Sequence, residues 1–139
     1  VNGVDGSLQF VTNRYVDEEQ RAASGRGGGA SCAIPDQWAA MMVFDALIYN
    51  EGRSQRRMLY DSATWRLLLV GHDRTFSSRK GRPRHLKSMA LQMTDGWQTA
   101  LTGLDDTLLD ETFSDVLDKR RIKALSHRRD ELLASPGKQ

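Results

Sequence analysis

Asp45, Glu51, Asp61 and Asp73 lie in one stretch of the chain, with His72 beside the last of them and Arg53, Arg56, Arg57 and Arg74 interleaved. Carboxylates brought together by a fold can hold a divalent cation or exchange protons with a substrate. Converging arginines offer the opposite chemistry, a fixed positive field whose forked donors match phosphate or carboxylate. Both readings are open from the residues alone. Glu51, Asp73 and His72 are the catalytic candidates; Arg53, Arg56, Arg57 and Arg74 are the anion-binding candidates. A hydrolase would draw its nucleophile from Ser54, Ser62 or Ser77, but no G-x-S-x-G elbow is present. The three histidines have no paired spacing and Cys32 is the single cysteine, so no metal site and no intramolecular disulfide are expected. His72 reads as a packed, hydrogen-bonded scaffold residue, and His85 and His127 as exposed.

The densest basic run follows at residues 79–87. Its core, Lys80-Gly81-Arg82-Pro83, resembles the AT-hook, an extended element that lays arginines along a narrow minor groove. Lys80, Arg82 and Arg84 are therefore the nucleic-acid candidates, set against a solvated loop as the simpler reading. The net charge of +2 is too small to imply a polyanion partner by itself. Lys119, Arg120, Arg121, Lys123, Arg128 and Arg129 read as the polar face of an amphipathic helix, paired with Asp118, Asp130 and Glu131. The glycines between residues 25 and 29 have no lysine at P-loop spacing, so a flexible loop is expected there instead of a phosphate cradle.

The elements that must position these groups read as follows. At 139 residues and 39% apolar content the chain suits one globular domain spanning 1–139. Residues 7–12 alternate as a short strand, and about 17–33 form a flexible glycine-rich loop. Pro35 and Asp36 open a helix that ends near Asn50, with Trp38, Met41, Phe44, Leu47 and Ile48 on its apolar face. Residues 58–60 and 66–70 form a hairpin about a polar turn, and about 77–87 is a basic extended segment. The pattern turns helical from Leu86. Thr94 or Asp95 caps one helix, Asp106 or Thr107 the next, and the last runs from about Asp118 to Ala134. The fold class is mainly α with a small β-hairpin. No membrane span or signal peptide is legible, so the chain reads as soluble and cytoplasmic, and Val1 in place of Met reads as a fragment or a processed chain.

The segments 43–61 and 65–76 resemble the catalytic and metal-binding loops of bacterial HipA-like and phosphoinositide-kinase-like proteins. The pattern there is roughly N-x-D-R-x-x-x-N-x-L, a hairpin, I-D-H or a near variant, and a Phe. This chain carries Asn50, Arg53, Leu59, His72 and Phe76 of that pattern, flanked by Gly6-Ser-Leu-Gln9 and Ala124-Leu-Ser-His-Arg-Arg-Asp130. The resemblance implies the C-terminal lobe of a kinase-like fold. It also places the catalytic aspartate on Gly52, the metal-holding asparagine on Arg57 and the metal-binding aspartate on Gly71. Phosphoryl transfer rests on positioning and charge neutralisation around magnesium, so these replacements imply a pseudokinase. The strand at residues 7–12 would correspond to the hinge strand, with no amino-terminal lobe before it.

The leading expectation is thus a degenerate kinase-like domain, without phosphotransferase activity, that binds a protein or an anionic ligand. One alternative is an enzyme with relocated carboxylates, a residual phosphotransferase on Mg-ATP or a hydrolase. Another is a DNA-binding module through residues 79–87. No membrane partner is expected, and apolar surface near the hinge strand would favour a homo-oligomer.

Overall fold

In the computed structural model, which describes residues 13–135, the chain is mostly helical with one small antiparallel sheet. Strand β1 (Tyr15–Asp17) runs directly into helix α1 (Glu18–Ser24). This corrects the expectation of an irregular loop across about 17–33. Asp17 accepts from the Gln20 backbone N–H while Gln20 reaches back to the Asp17 N–H, a capping box, and Gly25 closes the helix at φ +64°. Only the stretch beyond Gly25 is irregular, up to helix α2 (Ile34–Ile48). The expected strand at 7–12 lies outside the described residues.

Helix α2 begins with Pro35 in its first turn, as read. Its burial extends beyond the expected stripe. Val43 and Ala46 are buried as well as Met41, Leu47 and Ile48, while Trp38 and Phe44 are half-buried. A central helix covered on most sides explains this, since strand β3 and helix α5 both pack against it. The hairpin is present as β2 (Met58–Asp61) and β3 (Leu67–Leu69), with β1 adding a third strand in the order β1-β2-β3. Gln37 fastens α2 to the hairpin: its amide donates to the carbonyls of Cys32 and Trp65 and accepts from the Leu67 N–H.

Residues 87–94 are irregular, correcting the expectation of helix from Leu86; a short 3-10 turn, Arg84–Leu86, is all that forms there. Helices α3 (Asp95–Gly103), α4 (Asp106–Phe113) and α5 (Lys119–Ala134) then complete the core. Thr94 and Asp118 cap α3 and α5, while Asp105, one residue before the expected cap, caps α4. Val43, Leu86, Leu101, Leu109, Leu125 and Leu132 form the centre of the apolar core. No helix among the described residues is long and apolar enough to cross a membrane.

The last helix departs most from its reading as a polar face. Arg128 is 1% exposed and Arg129 8%. Arg128 donates from Nε to the Leu47 carbonyl and from Nη1 to the carbonyls of Ser77 and Arg79, with its guanidinium over the Tyr49 ring. Burial lowers its pKa to about 10, so it remains a cation at neutral pH. Arg129 donates to the Leu104 carbonyl and pairs with Asp130 and Asp106. One arginine therefore ties α5 to the end of α2 and to the basic segment, and the other holds the junction of α3 and α4. The expected pairing with acids of the same helix is present at Arg129–Asp130 and Arg121–Asp118, whereas the backbone carbonyls held by Arg128 and Arg129 are not revealed by charge patterning.

Candidate functional site

The loop after α2 is built by a buried ion pair. Asp45 is 1% exposed, and Arg53 grips it through Nε to Oδ2 at 2.7 Å and Nη2 to Oδ1 at 2.8 Å. Asn50, fully buried, donates to the same Oδ1 at 3.0 Å and accepts the Gly52 N–H at 2.8 Å. The remaining Arg53 nitrogen, Nη1, donates to the carbonyls of Arg57 and Val70. Every polar atom of the pair has a partner, which is what a charge pair removed from water requires. Asp45 is thus a structural acid, and Arg53 a cation whose fork is already filled. Two backbone bonds, Glu51 N–H to the Arg74 carbonyl and Phe76 N–H to the Ile48 carbonyl, bring residues 70–76 alongside this loop.

Gly52, Arg57 and Gly71, separated in sequence, meet at this junction. A β-carbon on Gly52 would lie 2.6 Å from Nη1 of Arg57, and one on Gly71 would lie 2.6 Å from its Cδ. Gly71 also has φ +74°, a conformation that L side chains rarely adopt. The Arg57 side chain fills the space that side chains at both glycines would occupy. Its Nη1 donates to the Gly71 carbonyl at 3.2 Å and to Asp73 Oδ1 at 2.8 Å. The three residues are mutually dependent: the arginine fits because both neighbours are glycine.

The catalytic candidates are dispersed. Glu51 reaches Arg79 at 3.2 Å, Asp73 is held by Arg57 with 61% of its side chain exposed, and each has its own guanidinium. His72 is exposed, correcting its reading as a packed residue, and meets the protein at the edge of the Phe44 ring, 5.9 Å between centroids. Its carbonyl, not its ring, accepts a hydrogen bond, from Thr75. His127 is half-buried, not exposed as read, and sits 3.6 Å from Glu131. Among the described residues no three His, Cys, Asp or Glu side chains gather as a metal-binding group.

The arginines divide. Arg56 points away to an exposed pair with Glu19. Arg57 is engaged by Asp73 and Gly71. Arg74 lines an open cleft of about 530 Å³ together with Glu51, Arg53, Arg84 and His85. The side chains of Arg74, Arg84 and His85 have no hydrogen-bond or ion-pair partner among the described residues. Glu51 is the cleft's acid, and Arg79 already faces it. Free forked donors around a concave surface match the geometry of a carboxylate or phosphate.

Arg84 and His85 reach this cleft because the segment carrying them is folded back on the core. Pro83 is fully buried, and Arg82 donates to the Met89 carbonyl at 3.0 Å and to Ser135 Oγ at 3.3 Å. The basic segment is therefore not an extended arm: Arg82 is a clamp, Lys80 is exposed, and Arg84 faces the cleft. Nothing in the sequence spacing joins Arg84 to Arg74; the tertiary clamp does.

No protein-family model, curated protein or solved structure matches this chain.

Proposed function

We propose that this chain is a kinase-like C-terminal lobe, of the HipA-like and phosphoinositide-kinase-like kind, that does not transfer phosphate and instead binds an anionic ligand in the Arg74–Arg84–His85 cleft. The observation that carries the reading is the pair of unpartnered guanidinium groups, Arg74 and Arg84, in that cleft, with His85 beside them. Supporting it, the positions that match the metal and proton-transfer residues of such lobes, Gly52, Arg57 and Gly71, meet at one point. On this reading the Arg57 guanidinium, held by Asp73, stands in for a divalent cation. Glycine supplies neither ligand nor base, and a fixed positive charge there opposes cation binding. The domain acts in the cytoplasm on this reading.

Titration calorimetry with inorganic phosphate and with ATP, each with and without magnesium, tests it. Binding is expected to be indifferent to magnesium and to weaken about tenfold in Arg84→Gln and in Arg74→Gln, the loss of one charge-assisted bond. Magnesium-dependent binding, or phosphate transfer abolished by Asp73→Ala or Glu51→Gln, would overturn the reading and favour an enzyme with relocated carboxylates.

A further inference from the structure

The cationic cleft does not end at His85. It shares Arg53 and His85 with a second, apolar pocket of about 260 Å³, between α1, α2 and the segment after Arg84. The apolar walls are Trp38, Met41, Met42, Met58, Leu86 and Met89. Met41, Met58 and Leu86 are buried, whereas Met89, whose carbonyl accepts from Arg82, is 41% exposed at the pocket's edge. Glu18 and Asp45 also border the pocket, but each carries its own guanidinium: Arg21 on Glu18 at 2.6 Å and Arg53 on Asp45 at 2.7 Å. Neither acid therefore presents an unbalanced negative charge to an occupant.

The geometry points to an amphiphilic small molecule as the ligand: an anionic group on Arg74, Arg84 and His85, joined to an aromatic body in the methionine-lined pocket. This inference rests on the anion-binding reading above and names the ligand class for that same site. The pocket volume lies just below the range of ordinary small-molecule sites, which suits one ring system. Thioethers are polarisable and make favourable contacts with aromatic rings, and Trp38 adds a flat wall. The charge at the mouth fixes the orientation, since the free guanidinium groups lie there, while the apolar pocket adds only the neutral Gln55 amide and the shared His85 to its methionine walls.

Three probes test this together: 1-naphthyl phosphate, inorganic phosphate and uncharged 1-naphthol, each titrated into the wild-type chain and into Met89→Gln and Arg84→Gln. Met89 is exposed enough for its replacement to leave the fold intact, and thermal melting verifies this for both variants. The expected result is that 1-naphthyl phosphate binds at least about tenfold more tightly than either half-molecule. Met89→Gln should weaken the aryl phosphate and leave inorganic phosphate unchanged, while Arg84→Gln should weaken both. Equal affinity for the aryl and inorganic phosphates would overturn the inference and leave the anion site standing. Binding of 1-naphthol as tight as that of its phosphate would overturn the anion site itself, and so would failure of all three probes to bind.

Discussion

Two arginine-rich regions sit side by side at the end of α2 and differ in what their guanidinium groups face. In the first, Arg53 and Arg57 are turned inward. Arg53 fills its fork with Asp45 and two carbonyls, and Arg57 lies between two glycines with its charge on Asp73. In the second, Arg74 and Arg84 line a cleft and meet no partner among the described residues. The residue type is the same, but the first set stabilises the loop and the second leaves donors for something from outside. An arginine count or a basic stretch does not separate these cases. Arg53 and Arg57 spend their donors on the fold, and the proposed ligand would meet those of Arg74 and Arg84.

This contrast can be broken from either side. The largest effect is expected at the buried pair. Arg53→Ala leaves Asp45 as an uncompensated charge, and Asp45→Ala does the same to Arg53. Each should cost about 3–5 kcal/mol in urea unfolding. A loss below about 1 kcal/mol would mean that the loop does not depend on the pair.

Arg128 is the next test, because it is an inward arginine bound to carbonyls with no carboxylate in contact. Arg128→Met keeps the length and apolar stem but leaves those acceptors unpaired, at a cost of about 2–3 kcal/mol. Amide exchange near residues 77–79 should accelerate with it. An unchanged exchange pattern would show that the arginine does not hold the segment that delivers Arg84.

The glycines come third. Gly71→Ala meets both the Arg57 stem and a positive φ, and should cost about 1–2 kcal/mol. Gly52→Ala meets the end of that side chain at 2.6 Å and the held Asn50 Oδ1 at 3.3 Å, and should cost about 1 kcal/mol. In an Arg57→Ala background the Gly52→Ala cost should fall to the part set by Asn50 Oδ1, while the backbone part of the Gly71→Ala cost should remain. Additive costs at Gly52 and Arg57 would mean that the three residues do not share one space.

The smallest effect is acid sensitivity. The carboxyl of Asp61 is held below its ordinary 3.8 by hydrogen bonding to Arg14, that of Asp106 by Ser126 and then Arg129, and that of Asp118 by the Arg121 N–H. Depressed folded-state pKa values add stability that is fully present above the unfolded value and is lost as pH falls through the folded ones. Stability should therefore be flat from about pH 5 until the approach to the Arg128 value of about 10, and decline gradually below 3.8. A steep loss near pH 6 would implicate the histidines instead.

Much of the fold was legible where the signal is local. Thr94 and Asp118 announce their helices by residue type, Pro35 opens α2, and the polar turn at 61–64 divides the hairpin. Helix α1 was missed although Asp17 and Gln20 hold capping-box positions, because Glu-Glu-Gln-Arg-Ala-Ala-Ser has no apolar stripe and precedes a glycine run. The Arg129–Asp130 pair is legible in the helix's charge pattern, but the burial of Arg128 and Arg129 is not, because the carbonyls of Leu47, Ser77 and Leu104 leave no trace in a pattern of side chains. The candidate site was half legible. Arg53 and Arg74 were named, but Arg53 proved to be engaged internally. Arg84 and His85 belong to the cleft only through the Arg82 clamp and the burial of Pro83. Contacts of that sequence separation have no local signature.

The most direct measurement is a side-by-side comparison of Arg74→Gln/Arg84→Gln and wild type, by urea unfolding and by calorimetric titration with ATP in the presence and absence of magnesium. If the cleft arginines are free donors, unfolding should shift by less than about 0.5 kcal/mol, while magnesium-independent binding seen in the wild type should be lost from the double variant. Unfolding that falls by several kcal/mol, or nucleotide binding that needs magnesium and survives the double substitution, would contradict the account.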